Sequence, residues 1–274
     1  MVLLDILSRK DNLQLVVAHF NHGIRPDSAD DERLVADTAK KYGLGIEIGR
    51  VKLGLRASEE KARRARYDWL RAIMEKHSAK AIITAHHQDD LLETAMINIL
   101  RGTGRRGLSA ISDNPEVIRP LLTVTKRQLI RYAKLQKLNW REDVTNQDDS
   151  HLRNYIRNRF LDNLPSAKRI ELLKNIEKVA KINKTVNELI ATISHNISVN
   201  GKINRQQFAQ LPVEIAGELI IHWLRKSDFT GYDKKMVNRL MLAIKTGRAG
   251  TRHKVSGALE LIISQREAFF ERRL

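Results

Sequence analysis

Residues 80–100 read KAIITAHHQDDLLETAMINIL, and the change of pattern inside that stretch decides the fold. Residues 80–85 are a short apolar run of strand length, whereas residues 90–100 carry a helical pattern. A strand hands over to a helix here, and the few residues at the junction are almost all polar. Two more strand-length runs lie upstream, LQLVVAHF at 13–20 and LGIEIGRV at 44–51, separated by charged segments of helical spacing. One such helix begins at Ser28, a good N-cap, and sets Leu34, Thr38 and Tyr42 on one face. The other begins at Ser58, with Glu59 and Glu60 in the first turn where the helix dipole favours acids, and turns Ala62, Ala65, Trp69 and Ile73 inward. Alternation of this kind implies an α/β fold built on a Rossmann-like parallel sheet covered on both faces. Ligands of such sheets bind at the carboxyl ends of the strands, which is where the polar junction lies.

The second half reads differently. Residues 153–197 are helical with a break at Pro165, a mixed stretch begins at Gly201, and helices are expected at 213–225 and 234–245. Residues 251–255 and 259–264 read as a hairpin around Ser256, Gly257 and Ala258. This places one domain at 1–165 and a helical and small α+β region at 166–274. At the other end, residues 1–7 look helical with no capping residue ahead of them and feed directly into a buried strand. A parallel sheet ordinarily supplies a strand and a loop before such a helix.

Composition narrows the function. The 274 residues contain no cysteine, which excludes disulfide frameworks, Cys-ligated zinc or iron–sulfur sites and a thiol nucleophile, and suits a reducing cytoplasm. No apolar run approaches a membrane span of about 18 residues. Lys and Arg total 49 against 32 Asp and Glu, a net charge of +17. Residues 1–150 carry 26 basic and 21 acidic side chains and residues 151–274 carry 23 and 11, so most of the excess lies in the second half. A folded domain with that excess suits an anionic partner, nucleic acid or an acidic membrane, or plain solubility.

Several constellations could carry chemistry. In TAHHQDDLLET, residues 84–94, Asp90 and Glu93 share a helix face and suit Mg²⁺ or a substrate amine, while His86 and His87 can meet phosphate or move a proton. The structural alternative has Asp89 capping the helix and Glu93 paired with an arginine. Gly102, Gly104 and Gly107 spell G-x-G-x-x-G, but they follow a helix rather than a strand, so the dinucleotide fingerprint does not apply. With Arg101, Arg105 and Arg106 interleaved, the segment is either a phosphate-facing loop or a plain C-cap and turn. Asn21, His22, Gly23 and Arg25 follow another strand end, with Gly23 allowing close backbone approach. Arg63 and Arg66 sit on one face beside Tyr67, and Arg153 and Arg157 lie a helical turn apart, a cluster that calls for an anionic partner or for acidic neighbours such as Asp143, Asp148 and Asp149.

Together NHGIRPDSADDE, EEKARRARYDWL, ITAHHQDDLLET, LRGTGRRGL, RPLL and NWREDVTNQDDSHLRNYIRNRF resemble, in order and spacing, the tRNA(Ile)-lysidine synthetases of the PP-loop ATP pyrophosphatase superfamily. The resemblance covers roughly residues 1–165; the rest is compatible with a small tRNA-binding region. It implies an ATP-dependent ligation of free L-lysine to carbon 2 of the wobble cytidine of a tRNA(Ile) with CAU anticodon, through an adenylated intermediate. By motif position it implies Arg66, Asp90 and Glu93 as the catalytic group, Asp90 and Glu93 for Mg²⁺, and His22, Gly23, Arg25, His86 and His87 for ATP. Arg101, Arg105, Arg106, Arg153, Asn154 and Arg157 would face the tRNA. A homodimer stays open, as does a non-catalytic tRNA-binding role. PP-loop tRNA thiolases share the ATP chemistry but use cysteines, which this chain lacks. The family's S-G-G-x-D-S loop is also absent, and MVLLDIL matches the helix after it. The expectation is a chain starting at an internal methionine of a longer protein, lacking first strand and loop and binding ATP poorly as it stands.

Overall fold

Val16–Asn21 (β1) and Gly45–Arg50 (β2) pair in parallel, from Val16 opposite Gly45 to Asn21 opposite Arg50. Ile82–Ile83 (β3) and Val117–Ile118 (β4) form a second parallel pair. The computed structural model describes residues 1–23, 28–51, 59–108, 116–141, 152–229 and 231–272. Among these the parallel strands form two separate ladders rather than one continuous sheet. The chain divides into two compact units, Met1–Ala180 and Lys181–Leu274.

In the first unit the helices Val2–Ser8 (α1), Ser28–Lys41 (α2), Glu59–Lys76 (α3), Gln88–Leu100 (α4), Arg105–Leu108 (α5) and Lys126–Leu135 (α6) alternate with the strands. Leu152–Tyr155 (α7) runs into a π-helical turn at Ile156–Leu161, and Ser166–Ile197 (α8) follows. The inward face expected for α3 is present, with Ala62 buried and Ala65, Trp69 and Ile73 half-buried; Ser58 lies outside the described residues. Gly49 of β2 is what lets α3 close on the first ladder. A Cβ there would meet the Trp69 ring at 2.5 Å and the Phe20 ring at 2.7 Å, so only glycine leaves room for the Phe20–Trp69 contact at 5.3 Å between centroids.

α1 is fixed by a buried carboxylate. Asp5 is 2% exposed and accepts hydrogen bonds from Tyr42 Oη (2.7 Å), Tyr132 Oη (2.7 Å) and Arg9 Nη2 (3.0 Å). Burial works to raise its carboxyl, and these donors more than offset that, holding it below the ordinary carboxylate range. The Tyr42 phenol, desolvated and bonded to Asp5, is pushed up to about 12.

The second unit has its own core of Phe208, Leu219, Ile220, Leu224, Leu240, Ile244 and Leu261. It comes from Arg205–Ala209 (α9), Val213–Lys226 (α10), Lys234–Thr246 (α11) and a five-stranded sheet. That sheet orders Ser198–Val199 (β5), Lys202–Asn204 (β6), Glu267–Arg272 (β9), Leu259–Ile263 (β8) and Arg252–Lys254 (β7), all neighbours antiparallel. The expected hairpin is β7–β8. Arg205 donates from all three guanidinium nitrogens to the carbonyls of Ile244 (2.9 Å), Ser264 (2.7 Å) and Gly247 (2.6 Å), tying the end of α11 to the sheet.

Candidate functional site

The carboxyl ends of β1 and β3 carry the polar residues singled out above. At the first, Gly23 has φ +61°, a conformation glycine adopts without a Cβ penalty, and its N–H donates to Asn21 Oδ1 at 2.9 Å. Asn21 Nδ2 in turn donates to Glu32 at 3.1 Å, and Glu32 is gripped by Arg50. His22 lies edge-on to Phe20, 5.0 Å between centroids, and its Nδ1 is buried without a hydrogen-bond partner. Burial, followed by the nearby Arg66, holds its imidazole below the ordinary range. Arg25 lies outside the described residues.

At the end of β3, Thr84 Oγ1 and His86 Nδ1 share a hydrogen bond of 2.7 Å. Burial drives the His86 imidazole down to about 4 against the pull of Asp90, with Arg119, Arg63 and Arg66 pushing it further. It is therefore an uncharged ring at neutral pH. His87, rather than Asp89, is the N-cap of α4, and Asp90 reaches back so that its Oδ2 accepts from the His87 N–H at 2.8 Å. Asp89 points another way. Its carboxylate accepts from the Lys126 N–H at 2.7 Å and from Arg169 Nη1, joining the start of α4 to those of α6 and α8.

Glu93, one turn further along α4, is fully buried. It accepts from Arg157 Nε at 2.6 Å and Nη2 at 3.0 Å, and Arg153 Nε stands 3.7 Å away. Burial raises its carboxyl, with Arg157 opposing the rise. The pairing of Glu93 with an arginine is thus the one realised, and Arg157 and the buried Asn154 turn inward. Asp143, Asp148 and Asp149 lie outside the described residues.

α3 supplies cations on the other side. Arg63 and Arg66 lie over the Tyr67 ring at 5.0 Å and 5.4 Å. Tyr67 packs on Ile82 and Val117. Beyond α4 the glycine pattern is a helix stop. Gly102 has φ +63°, and the Thr103 N–H donates to Asn98 O at 3.0 Å and the Gly102 N–H to Ile99 O at 2.9 Å. Gly107 permits contact with Thr103, whose Oγ1 would lie 1.9 Å from a Cβ there. Arg101 is the exposed C-cap, and Arg105 and Arg106 are half-buried on α5.

Asp90 leaves its Oδ1 unengaged among the described residues, so it can contribute one carboxylate oxygen to a cation. Glu93, with both oxygens on Arg157, does not fit a metal ligand, and no cluster of three His, Asp or Glu forms among the described residues. Among the described residues, His22 Nδ1, Tyr67 Oη and Arg119 Nε are buried without a hydrogen-bond partner and suit a polar ligand. Of these, Arg119 was passed over in the sequence, where only the RPLL string marked it.

Comparison with known proteins bears on the family and the fold. A family model described as a PP-loop domain matches residues 1–164. The chain is 27% identical over 270 residues to the tRNA(Ile)-lysidine synthase of Persephonella marina, covering 94% of this chain and 55% of that protein. It is 36% identical over 190 residues to that of Bacteroides thetaiotaomicron, covering 64% and 45% respectively. The chain spans about half the length of these curated relatives. Among solved structures, the U34-tRNA thiolase NcsA from Methanococcus maripaludis with its [4Fe-4S] cluster aligns with a TM-score of 0.52 at 16% identity, covering 66% of this chain and 67% of that one. That likeness concerns the fold, and this chain has no cysteine to hold such a cluster. No described helix is long and apolar enough to cross a membrane. From the match over more than half its length, the chain belongs to the PP-loop domain family.

Proposed function

We propose that this chain acts as a tRNA(Ile)-lysidine synthetase. It uses ATP to adenylate the carbonyl oxygen on carbon 2 of the wobble cytidine of a tRNA(Ile) with CAU anticodon, releasing pyrophosphate. The side-chain amine of free L-lysine then forms the C2–N bond as AMP leaves with the oxygen and the amine gives up its proton. The reading rests on one observation: TAHHQDDLLET is mounted at the end of β3 with Asp90 on the first turn of α4.

Asp90, with one oxygen in the cap and one unengaged, suits the lysine ammonium or a single bond to Mg²⁺, which when bound screens the phosphates. Arg66 suits negative charge developing on the phosphate oxygens. His86 and His87 fit the nucleotide as hydrogen-bonding rings, and the uncharged state of His86 makes it a poor counter-ion for phosphate. Glu93 acts as a positioning residue, orienting Arg157 and Arg153. Arg101, Arg105, Arg106 and Arg153 suit tRNA phosphates, and the basic second half suits the same partner. The setting is the cytoplasm, where these substrates meet.

The test is transfer of radiolabelled lysine to a tRNA(Ile) transcript. ATP-dependent label that is lost in Asp90→Ala supports the reading. Tight tRNA binding with no label transferred overturns it in favour of a non-catalytic tRNA-binding protein.

A further inference from the structure

Arg119 follows β4 at the same sheet edge as Thr84 and His86. Ile83 is paired with Ile118, and the Thr84 N–H donates to Ile118 O at 3.0 Å, so the two chain segments leave their strands side by side. Arg119 is 9% exposed. Among the described residues its guanidinium makes one hydrogen bond, from Nη1 to Val117 O at 3.2 Å, and its Nε is buried with no hydrogen-bond partner. Among the described residues no carboxylate forms an ion pair with it. A guanidinium does not shed its proton in a protein, so this is a buried positive charge left uncompensated.

Arg205 in the second unit shows what a structural arginine looks like in the same fold: three guanidinium nitrogens on three carbonyls at a helix end. Arg119 has no such set. Its surroundings hold three cations and one carboxylate, since His86 feels Asp90 and then Arg119, Arg63 and Arg66. A fold retains an unpaired buried cation at a cost to its own stability, and an anion that arrives later supplies the missing partner. A planar fork with an empty Nε–H suits two oxygens of one phosphoryl group.

We propose that Arg119 is a binding residue for a phosphoryl group, presenting its Nε edge to the oxygens at the carboxyl ends of β3 and β4. The group belongs either to the nucleotide or to the tRNA backbone. The assignment of those two sources rests on the function proposed above; the anion site itself does not.

The experiment compares the unaltered chain with Arg119→Met and Arg119→Lys. It measures melting temperature without ligand and binding of inorganic pyrophosphate, AMP and a tRNA(Ile) transcript by calorimetry. The expected result is an Arg119→Met chain that melts no lower than the unaltered one and binds at least one of the three about tenfold or more weaker. Loss confined to pyrophosphate and AMP assigns the nucleotide, and loss confined to the transcript assigns the tRNA backbone. Arg119→Lys keeps the charge without the fork and falls between. The proposal is overturned if Arg119→Met melts lower or fails to fold while Arg119→Lys binds all three as the unaltered chain does. It is equally overturned if the unaltered chain binds none of them. Should lysine transfer never occur while Arg119-dependent binding persists, the proposed reaction falls and the phosphoryl site stands.

Discussion

Glu93 and Arg157 lie 64 residues apart and meet through two parallel hydrogen bonds of 2.6 Å and 3.0 Å, with the Glu93 carboxylate wholly removed from solvent. This pair pins the π-helical turn to the middle of α4 and determines what Glu93 can do. A carboxylate with both oxygens on a guanidinium has little left for a metal ion.

Breaking the pair from one side is expected to be costly. Arg157→Met removes both hydrogen bonds to a buried carboxylate and leaves it, among the described residues, only Arg153 at 3.7 Å, and should lower unfolding free energy by about 3 kcal/mol. Adding Glu93→Met should recover much of that loss, because two apolar side chains need no partner. Urea unfolding of the two single variants and the double variant measures the coupling.

Arg66 stands over Tyr67 and near His22 and His86, so its loss should fall on the reaction rather than on the fold. Arg66→Ala is expected to reduce lysine transfer by about a hundredfold or more, the usual effect of removing a charge aimed at a transition state. Its far-UV circular dichroism should match that of the unaltered chain. Unchanged turnover would remove Arg66 from the catalytic group.

The Asp5 cluster gives stability a pH dependence. Asp5 is held below its ordinary range, so its contribution is present above the unfolded-state value near 4 and is lost as pH falls through the lower folded value. Tyr42 is raised, so its contribution is present below about 10 and is lost as pH rises towards about 12. Denaturation midpoints of the unaltered chain and Asp5→Asn should therefore differ most between those limits and converge in acid.

Gly49→Ala forces a methyl group into the space held by Trp69 and Phe20. A loss of about 1–3 kcal/mol is expected. A red-shifted Trp fluorescence spectrum in the folded variant would report the opening of that contact.

Much of this was legible in the sequence because period and turn chemistry are local. The strand-to-helix change at residues 80–100 put β3 and α4 in place, and the 251–264 hairpin and the start of α2 near Ser28 were readable from short-range signals, although Ser28 is the first helical residue rather than the cap before it. β9 was not, since EAFFER lacks clean alternation and its pairing with β8 and β6 is a tertiary fact. Neither was the division of labour among acids. Asp89 looked like the cap, and nothing within a few residues of it announces Arg169, which lies 80 positions on. Arg119 was overlooked for the same reason, since its lack of a partner is visible only once the strands are packed.

Asp89 and Asp90 are a repeated letter in the sequence, yet they hold different things: one grips Lys126 N–H and Arg169, the other folds back on the His87 N–H. The orientation of α4 is thus set from behind, by segments 37 and 80 residues downstream. Anyone grafting HHQDD onto another strand and helix would transplant the visible half of a joint. The acid that looks spare would carry its charge into a host with no arginine waiting for it, and the helix would settle at an angle of the host's choosing.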